Sequence, residues 1–107
     1  MKRYGSVIRV KPDKLEHYKA FHAQVWPGVL SMIKRANIQN YSIYLKDGYL
    51  FSYFEYTGDD YDADMAKMAA DPKTQAWWAI MIPMQDPLPT RTEGEWWAGM
   101  EEVFHLD

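Results

Sequence analysis

Tyr18 and His22 are the two residues of this chain whose types and spacing best suit chemistry. They are four residues apart, so on a helix a phenol and an imidazole lie on the same face, one turn from each other. Imidazole is the side chain that most readily gives and takes a proton near neutral pH. Trp26-Pro27 follows one turn later and interrupts the helix, because proline removes a backbone donor. The segment therefore predicts a group that can shuttle a proton.

Two Trp-Trp pairs can supply flat aromatic walls beside that group. Trp77 belongs to an apolar stripe at helical spacing, so periodicity favours core packing for it. Trp78 points about 100° away on the helix and is the better candidate for an exposed platform. For Trp96 and Trp97 we favour packing at a subunit interface, where aromatic side chains are enriched. A proton shuttle beside aromatic walls suits a sugar.

The remaining candidates for chemistry are weaker. His17 lies on a different side of the helix from Tyr18, and His105 falls on the predicted last strand with no clear role. No pair of histidines has a recognised metal-ligand spacing, so we do not expect a metal site. The chain has no Gly-rich phosphate loop, nucleophile elbow or thiol, which leaves general acid–base chemistry. Tyr41 and Tyr44 have odd spacing on a strand, so only one of them can face a given pocket.

The composition is that of one small domain, residues 1–107, with many aromatic side chains. Hydrophobic residues make up 48%, aromatic residues 16% and charged residues 25% of the chain. The net charge is −3 without a basic run, which argues against nucleic acid or an anionic membrane as partner. There is no cysteine, and residues 1–5 carry no apolar stretch typical of a secretion signal. A chain without cysteine is compatible with a reducing cytoplasm.

Periodicity and turn signals predict the order β-α-β-β-α-β, which is the ferredoxin-like α+β arrangement with an antiparallel sheet. Asp47-Gly48 between two β-rich runs is a strong hairpin signal, because a type I′ turn needs positive φ at both positions. Pro12-Asp13 opens the first helix and Asp71-Pro72 caps the last one. We expect residues 83–99 to form an arm or a lid. The predicted strands are residues 4–10, 40–46, 49–56 and 100–106.

The predicted hairpin also indicates a homodimer. Phe51 and Tyr53 lie on one of its faces, while Leu50, Phe54 and Tyr56 lie on the other. A single layer of helices covers only one face of such a sheet. The other face would be a large apolar patch, which monomers avoid, and a second copy of the chain is the expected cover.

Four segments of the chain form a recognisable combination, which are YKAFHAQVWP at 18–27, NYSIYL at 40–45, QAWW at 75–78 and EEVFHL at 101–106. In this order and at these positions they resemble the L-rhamnose mutarotase family, and the resemblance spans nearly the whole chain. The resemblance implies a dimeric α+β barrel that acts in the cytoplasm without a cofactor and interconverts the α and β anomers of L-rhamnose. It also implies that His22 is the proton donor and that Tyr18, Tyr41, Trp77 and Trp78 bind the sugar.

Three alternatives remain open at this point. The sequence does not rank L-rhamnose against related sugars such as L-fucose, because that choice depends on a few hydroxyl contacts. Dimeric α+β barrels also include small monooxygenases, some acting on haem or on quinol-like aromatics, although fold alone is a weak guide to function. The same aromatic residues could also serve a sugar-binding module that has no catalytic activity.

Overall fold

The computed structural model describes residues 1–107 as an antiparallel sheet with helices on one face, which confirms the α+β class. No helix is both long enough and apolar enough to cross a membrane. The strands are β1 (Lys2–Val10), β2 (Ile38–Lys46), β3 (Tyr49–Tyr56), β4 (Gln85–Asp86) and β5 (Ala98–Met100). The helices are α1 (Leu15–Ala23), α2 (Pro27–Arg35), α3 (Tyr61–Ala70) and α4 (Pro72–Met81), with single 3₁₀ turns at Pro12–Lys14 and Ile82–Met84.

The sheet has the order β2-β3-β1-β4, with β5 beside β4 along the same edge of β1. β1 is antiparallel to β3, β4 and β5, and β2 is antiparallel to β3. The predicted β-α-β-β-α-β order is therefore confirmed, except that two short strands occupy the place of one final strand. Val10 pairs with Gln85, so Gln85 shares the inner face of the sheet with Val10.

Local sequence signals account for the turns and helix starts. Asp47 and Gly48 have φ of 53° and 79°, as the predicted type I′ hairpin requires. At the start of α3 the Asp60 carboxylate accepts the N–H of Ala63 at 3.1 Å. At the start of α4 the Asp71 carboxylate accepts the N–H of Thr74 at 2.9 Å. Both aspartates satisfy N–H groups that a helix N-terminus leaves unpaired.

The core lies between the helices and the inner face of the sheet. Ile8, Val10 and Leu50 from the sheet pack against Trp77 and Met81 from α4, and all five are at most 6% exposed. Burial of large apolar side chains supplies most of the driving force for folding. The core therefore fixes α4 against the sheet, and with it both residues of the Trp77-Trp78 pair.

The outer face of the sheet has no helix over it. Tyr44 is 68% exposed there and Phe51 is 37% exposed, while Leu50 on the opposite face is 3% exposed. Tyr44 and Phe51 are directly paired between β2 and β3, so their side chains lie together. The predicted division of the hairpin into a covered face and an uncovered aromatic face is confirmed.

The predicted strand over residues 100–106 is wrong. The strand that forms is Ala98–Met100, and residues 101–107 have no regular structure, so His105 lies in an exposed tail. Met100 pairs with Gly5, and at this register Val103 would lie opposite Lys2, the first residue of β1. Residues 104–106 would extend past the end of β1 and have no strand to pair with.

Because Gly48 has φ of 79° and no atom lies within 4 Å of the position of an added Cβ, only backbone strain opposes a side chain there. We expect Gly48→Ala to lower the free energy of unfolding by about 1–2 kcal/mol, the usual cost of the left-handed conformation for an L-residue. Gly48→Asn is the matched control, since asparagine tolerates this region, and it should cost less. Urea denaturation measures both, and equal losses for the two variants would contradict this account.

Candidate active site

A cavity of about 420 Å³ opens between α1, α4 and the inner face of the sheet. Its volume is in the range of small-molecule sites. Aromatic and aliphatic side chains line most of it, and no Asp, Glu, Lys or Arg is among the lining residues. The cavity brings together all five residues singled out from the sequence, which are Tyr18, His22, Tyr41, Trp77 and Trp78.

His22 is held in one tautomer by its own helix. Its Nδ1 lies 2.8 Å from the backbone carbonyl oxygen of Tyr18, one turn earlier. A carbonyl oxygen can only accept, so Nδ1 carries the proton and donates. In the neutral ring Nε2 then has a free lone pair. Burial lowers the pKa of His22, and the hydrogen bond to Tyr18 opposes that effect only in part. The resting imidazole is therefore neutral at pH 7, with Nε2 ready to accept a proton.

The Tyr18 ring stacks on the His22 ring, with centroids 4.3 Å apart and planes 23° from parallel. Tyr18 is only 3% exposed, and its hydroxyl oxygen lies 3.1 Å from Nε2 of Gln85. Burial raises the pKa of Tyr18, although the hydrogen bond from Gln85 opposes the rise. The phenol consequently stays protonated at neutral pH beside the imidazole.

Trp77 forms the back of the site, and three rings hold it edge-on. Its centroid lies 5.4 Å from that of His22, 5.2 Å from that of Trp26 and 5.9 Å from that of Phe21. Trp77 is 6% exposed whereas Trp78 is 37% exposed. The expected contrast between a core tryptophan and an exposed platform is confirmed, yet both residues line the cavity.

An irregularity in β2 brings Tyr41 to the cavity side of the sheet. Ile38 is buried on that side, and regular alternation from it would present Asn40 there rather than Tyr41. The pairing with β3 shifts at this point, which leaves Asn40 and Tyr41 in a bulge. Asn40 adopts φ of 48°, a region that asparagine tolerates better than most residues. The Glu55 carboxylate accepts hydrogen bonds from the amides of Gln39 and Asn40, at 3.0 and 2.7 Å, so the bulge has its own polar support.

Tyr41 and Tyr44 do face opposite sides, as expected from their spacing. The Tyr41 ring packs against Phe54 with centroids 5.5 Å apart, on the cavity side of the sheet. Desolvation, with smaller contributions from Tyr18 and Tyr61, raises the pKa of Tyr41 to about 12. The phenol is protonated at pH 7 and can donate a hydrogen bond.

Gln85 lines the cavity although the sequence did not single it out, and the second tryptophan pair, Trp96 and Trp97, lines it as well. The arm that follows β4 folds back and puts both indoles into the cavity wall, while their predicted packing at a subunit interface stays a prediction. Trp96 Nε1 donates to Gln85 Oε1 at 2.8 Å, and Glu95 accepts the N–H groups of Thr92 and Gly99 to hold the arm. The only sequence signal for Gln85 is its place two residues after the helix-ending Pro83.

A second cavity of about 610 Å³ adjoins the first. The two share His22, Tyr41, Ile43 and Trp77 as lining residues, and the second extends between α2 and β2 toward Lys34. His22 therefore stands at the junction of the two spaces. No group of three or more His, Cys, Asp or Glu side chains is arranged to hold a metal ion.

Comparison with known proteins identifies the family. The model of the L-rhamnose mutarotase family matches residues 3–106. The chain belongs to this family. Among curated relatives, the L-rhamnose mutarotases of Oceanobacillus iheyensis and Bacillus subtilis are each 34% identical over 113 aligned positions, and each alignment covers 100% of both chains. The family resemblance drawn from the sequence segments is thereby confirmed.

Two solved structures share the fold. The L-rhamnose mutarotase FA22100 of Formosa agariphila superposes with a TM-score of 0.77 at 21% identity, with both chains fully covered. Tetracenomycin F2 cyclase of Streptomyces glaucescens, a polyketide cyclase, superposes with a TM-score of 0.73 at 16% identity and covers 100% of this chain and 98% of its own. At these identities the likeness shows the fold alone, and the second neighbour illustrates that the fold serves different substrates.

Proposed function

We propose that this protein catalyses the interconversion of the α and β anomers of L-rhamnose in the cytoplasm. The observation that carries the proposal is the fixed tautomer of His22, whose Nε2 is left free within an aromatic cavity. Membership of the L-rhamnose mutarotase family supplies the sugar. Anomer exchange needs a proton to leave one oxygen of the sugar and to reach another, which suits a single imidazole.

His22 performs the proton transfer in both directions. Its neutral Nε2 takes the proton of the anomeric hydroxyl while the bond between C1 and the ring oxygen breaks and a carbonyl forms at C1. The imidazolium then donates that proton to the ring oxygen, which completes ring opening. Rotation about the C1–C2 bond presents the other carbonyl face, and the same steps in reverse close the ring. The anomeric and ring oxygens are bonded to the same carbon, so one nitrogen can serve both.

The other four residues hold the sugar. Trp77 and Trp78 cover its apolar C–H face and its 6-methyl group, since indole rings combine a large apolar surface with a polar edge. The hydroxyls of Tyr18 and Tyr41 are both protonated at neutral pH and donate hydrogen bonds to sugar oxygens. The cavity lining contains no carboxylate that would compete with the sugar for these donors.

We also propose that the protein is a homodimer formed through the outer face of the sheet. Tyr44 and Phe51 form an exposed aromatic pair on this face, and Met100 at its edge is 42% exposed. The tail adds Phe104, which is 79% exposed and lines the same surface hollow as Tyr53 and Met100. Apolar surface of this extent is unusual on a monomer, and a two-fold interface would cover one such face with another.

Replacement of the imidazole tests the catalytic role. We expect His22→Ala to lower the enzyme-catalysed rate of anomer exchange about 10²- to 10⁴-fold, the usual contribution of a general acid or base. Saturation-transfer NMR on L-rhamnose measures that rate directly. His17→Ala is the matched control, because His17 is exposed on another side of α1 and should keep the wild-type rate. A His22→Ala variant with the wild-type rate would exclude this role.

The pH dependence follows from the neutral state of His22. Burial holds its pKa below 6.5, and the neutral form is the one that accepts the anomeric proton. We therefore expect kcat/KM to be constant from pH 8 down to about 6.5 and to fall as the pH drops through the lowered pKa. The measurement is the NMR exchange rate at low sugar concentration across this range. A rate that instead rises toward acid pH would mean that the protonated ring starts the reaction.

A charge on the outer face tests the dimer. We expect the wild-type protein to have twice its chain mass of 12.6 kDa by light scattering, and Phe51→Lys to shift it toward the monomer. Burying a lysine in an apolar interface is costly when no partner charge is present. Leu30→Lys, at a 49% exposed apolar position on the helical side, is the control and should remain dimeric. A monomeric wild-type protein would refute the proposal.

A further inference from the structure

The proposed mechanism gives no role to Gln85 or Trp96, yet the two residues form a chain of hydrogen bonds that ends at Tyr18. We call this chain the relay. Trp96 Nε1 lies 2.8 Å from Gln85 Oε1, and Gln85 Nε2 lies 3.1 Å from the Tyr18 hydroxyl oxygen. Gln85 is 6% exposed and lines the cavity, where it faces the inner side of the sheet beside Val10.

The chemistry of the indole sets the direction of this relay. An indole N–H can only donate, so the atom of Gln85 that faces Trp96 must be the amide oxygen. The amide nitrogen of Gln85 then faces Tyr18, and because it is a donor, the Tyr18 oxygen must accept. The Tyr18 proton is left over, and no protein atom accepts it in the structure. It is free to point into the cavity.

We propose that Trp96 and Gln85 are positioning residues that fix the Tyr18 hydroxyl as a hydrogen-bond donor to an oxygen of the bound sugar. Without the hydrogen bond from Trp96, the Gln85 amide could turn its oxygen toward Tyr18. The phenol could then donate its proton to Gln85 and present a lone pair to the cavity instead. The relay thus sets the direction of this hydrogen bond, in which Tyr18 donates and the sugar oxygen accepts. This inference rests on the proposed function, since it assigns the polarity of a contact at that same site.

Among the side chains around the cavity, only Gln85 decides in which direction the Tyr18 hydroxyl proton points. The titratable side chains that line this cavity are Tyr18, His22 and Tyr41, and no charged side chain lines it. His22 Nδ1 is occupied by the Tyr18 carbonyl oxygen, so it does not bond the hydroxyl. A buried amide with both ends bonded is also costly to reorient, because each polar atom would lose its partner.

A double-mutant cycle tests the relay with saturation-transfer NMR. We expect Trp96→Phe, Gln85→Leu and Tyr18→Phe each to lower kcat/KM about tenfold, which is the scale of one lost hydrogen bond. In the Tyr18→Phe background, Trp96→Phe and Gln85→Leu should cost less than about a further twofold, because they act through the missing hydroxyl. Trp96 is 38% exposed, so Trp96→Phe provides the milder variant if Gln85→Leu fails to fold.

Gln85→Glu provides a second readout that a purely structural role would not move. An ionised carboxylate can only accept, so it would draw the Tyr18 proton out of the cavity. A protonated carboxyl group again has one donor and one acceptor, as the amide does. We therefore expect the ratio of Gln85→Glu to wild-type kcat/KM to be low at pH 8 and to rise as the pH falls and the carboxyl group takes up a proton.

The outcomes separate this inference from the proposed function. Absence of anomer exchange in the wild-type protein would refute the proposed function itself. Wild-type exchange, together with equal fold losses from Trp96→Phe in the wild-type and Tyr18→Phe backgrounds, would refute only the relay. A Gln85→Glu ratio that does not change with pH would also refute it.

Discussion

The hydrogen bond from His22 Nδ1 to the Tyr18 carbonyl oxygen is the interaction on which the site depends. It exists because α1 places the two residues one turn apart, and a helical carbonyl oxygen has a second lone pair to offer. The bond assigns the tautomer, and the tautomer leaves Nε2 as the one open nitrogen. If Nδ1 had no partner, the neutral ring could adopt either tautomer, and the nitrogen that accepts the proton would not be defined. A hydrogen bond to a backbone carbonyl oxygen of the same helix thus decides which nitrogen of His22 can accept a proton.

The rest of the fold brings the cavity walls to this imidazole. The buried face of α4 holds Trp77 against His22, with ring centroids 5.4 Å apart. From the opposite side, the bulge in β2 reverses the alternation that begins at buried Ile38, so that Tyr41 faces inward and lines the cavity. Glu55 supports that bulge from the outer face of the neighbouring strand. The two faces of the sheet are therefore coupled. Polar contacts on the outer face stabilise the bulge, and the bulge places Tyr41 on the inner face.

Features encoded by neighbouring residues were predictable from the sequence. The Asp47-Gly48 turn, the Asp71 cap and the shared face of Tyr18 and His22 all follow from local backbone preferences, and the structure has each of them. Features that depend on where distant segments meet were not predictable. Gln85 reaches Tyr18 across 67 positions of sequence, and Trp96 enters the wall only because the arm folds back. Residues 104–106 of the tail have no strand to pair with because β1 begins at Lys2, which no property of the tail itself reveals.

The neutrality of the cavity lining connects this geometry to the proposed reaction. With no carboxylate or ammonium group among the lining residues, the proton taken up by His22 would create the only charge on the cavity wall. Burial disfavours that charge, as the lowered pKa of His22 expresses. The imidazolium is consequently a stronger acid than it would be in water, and it returns its proton readily to the ring oxygen. A carboxylate beside His22 would stabilise the imidazolium and slow that second step. An uncharged aromatic lining thus suits a histidine that must take up and release a proton within one turnover.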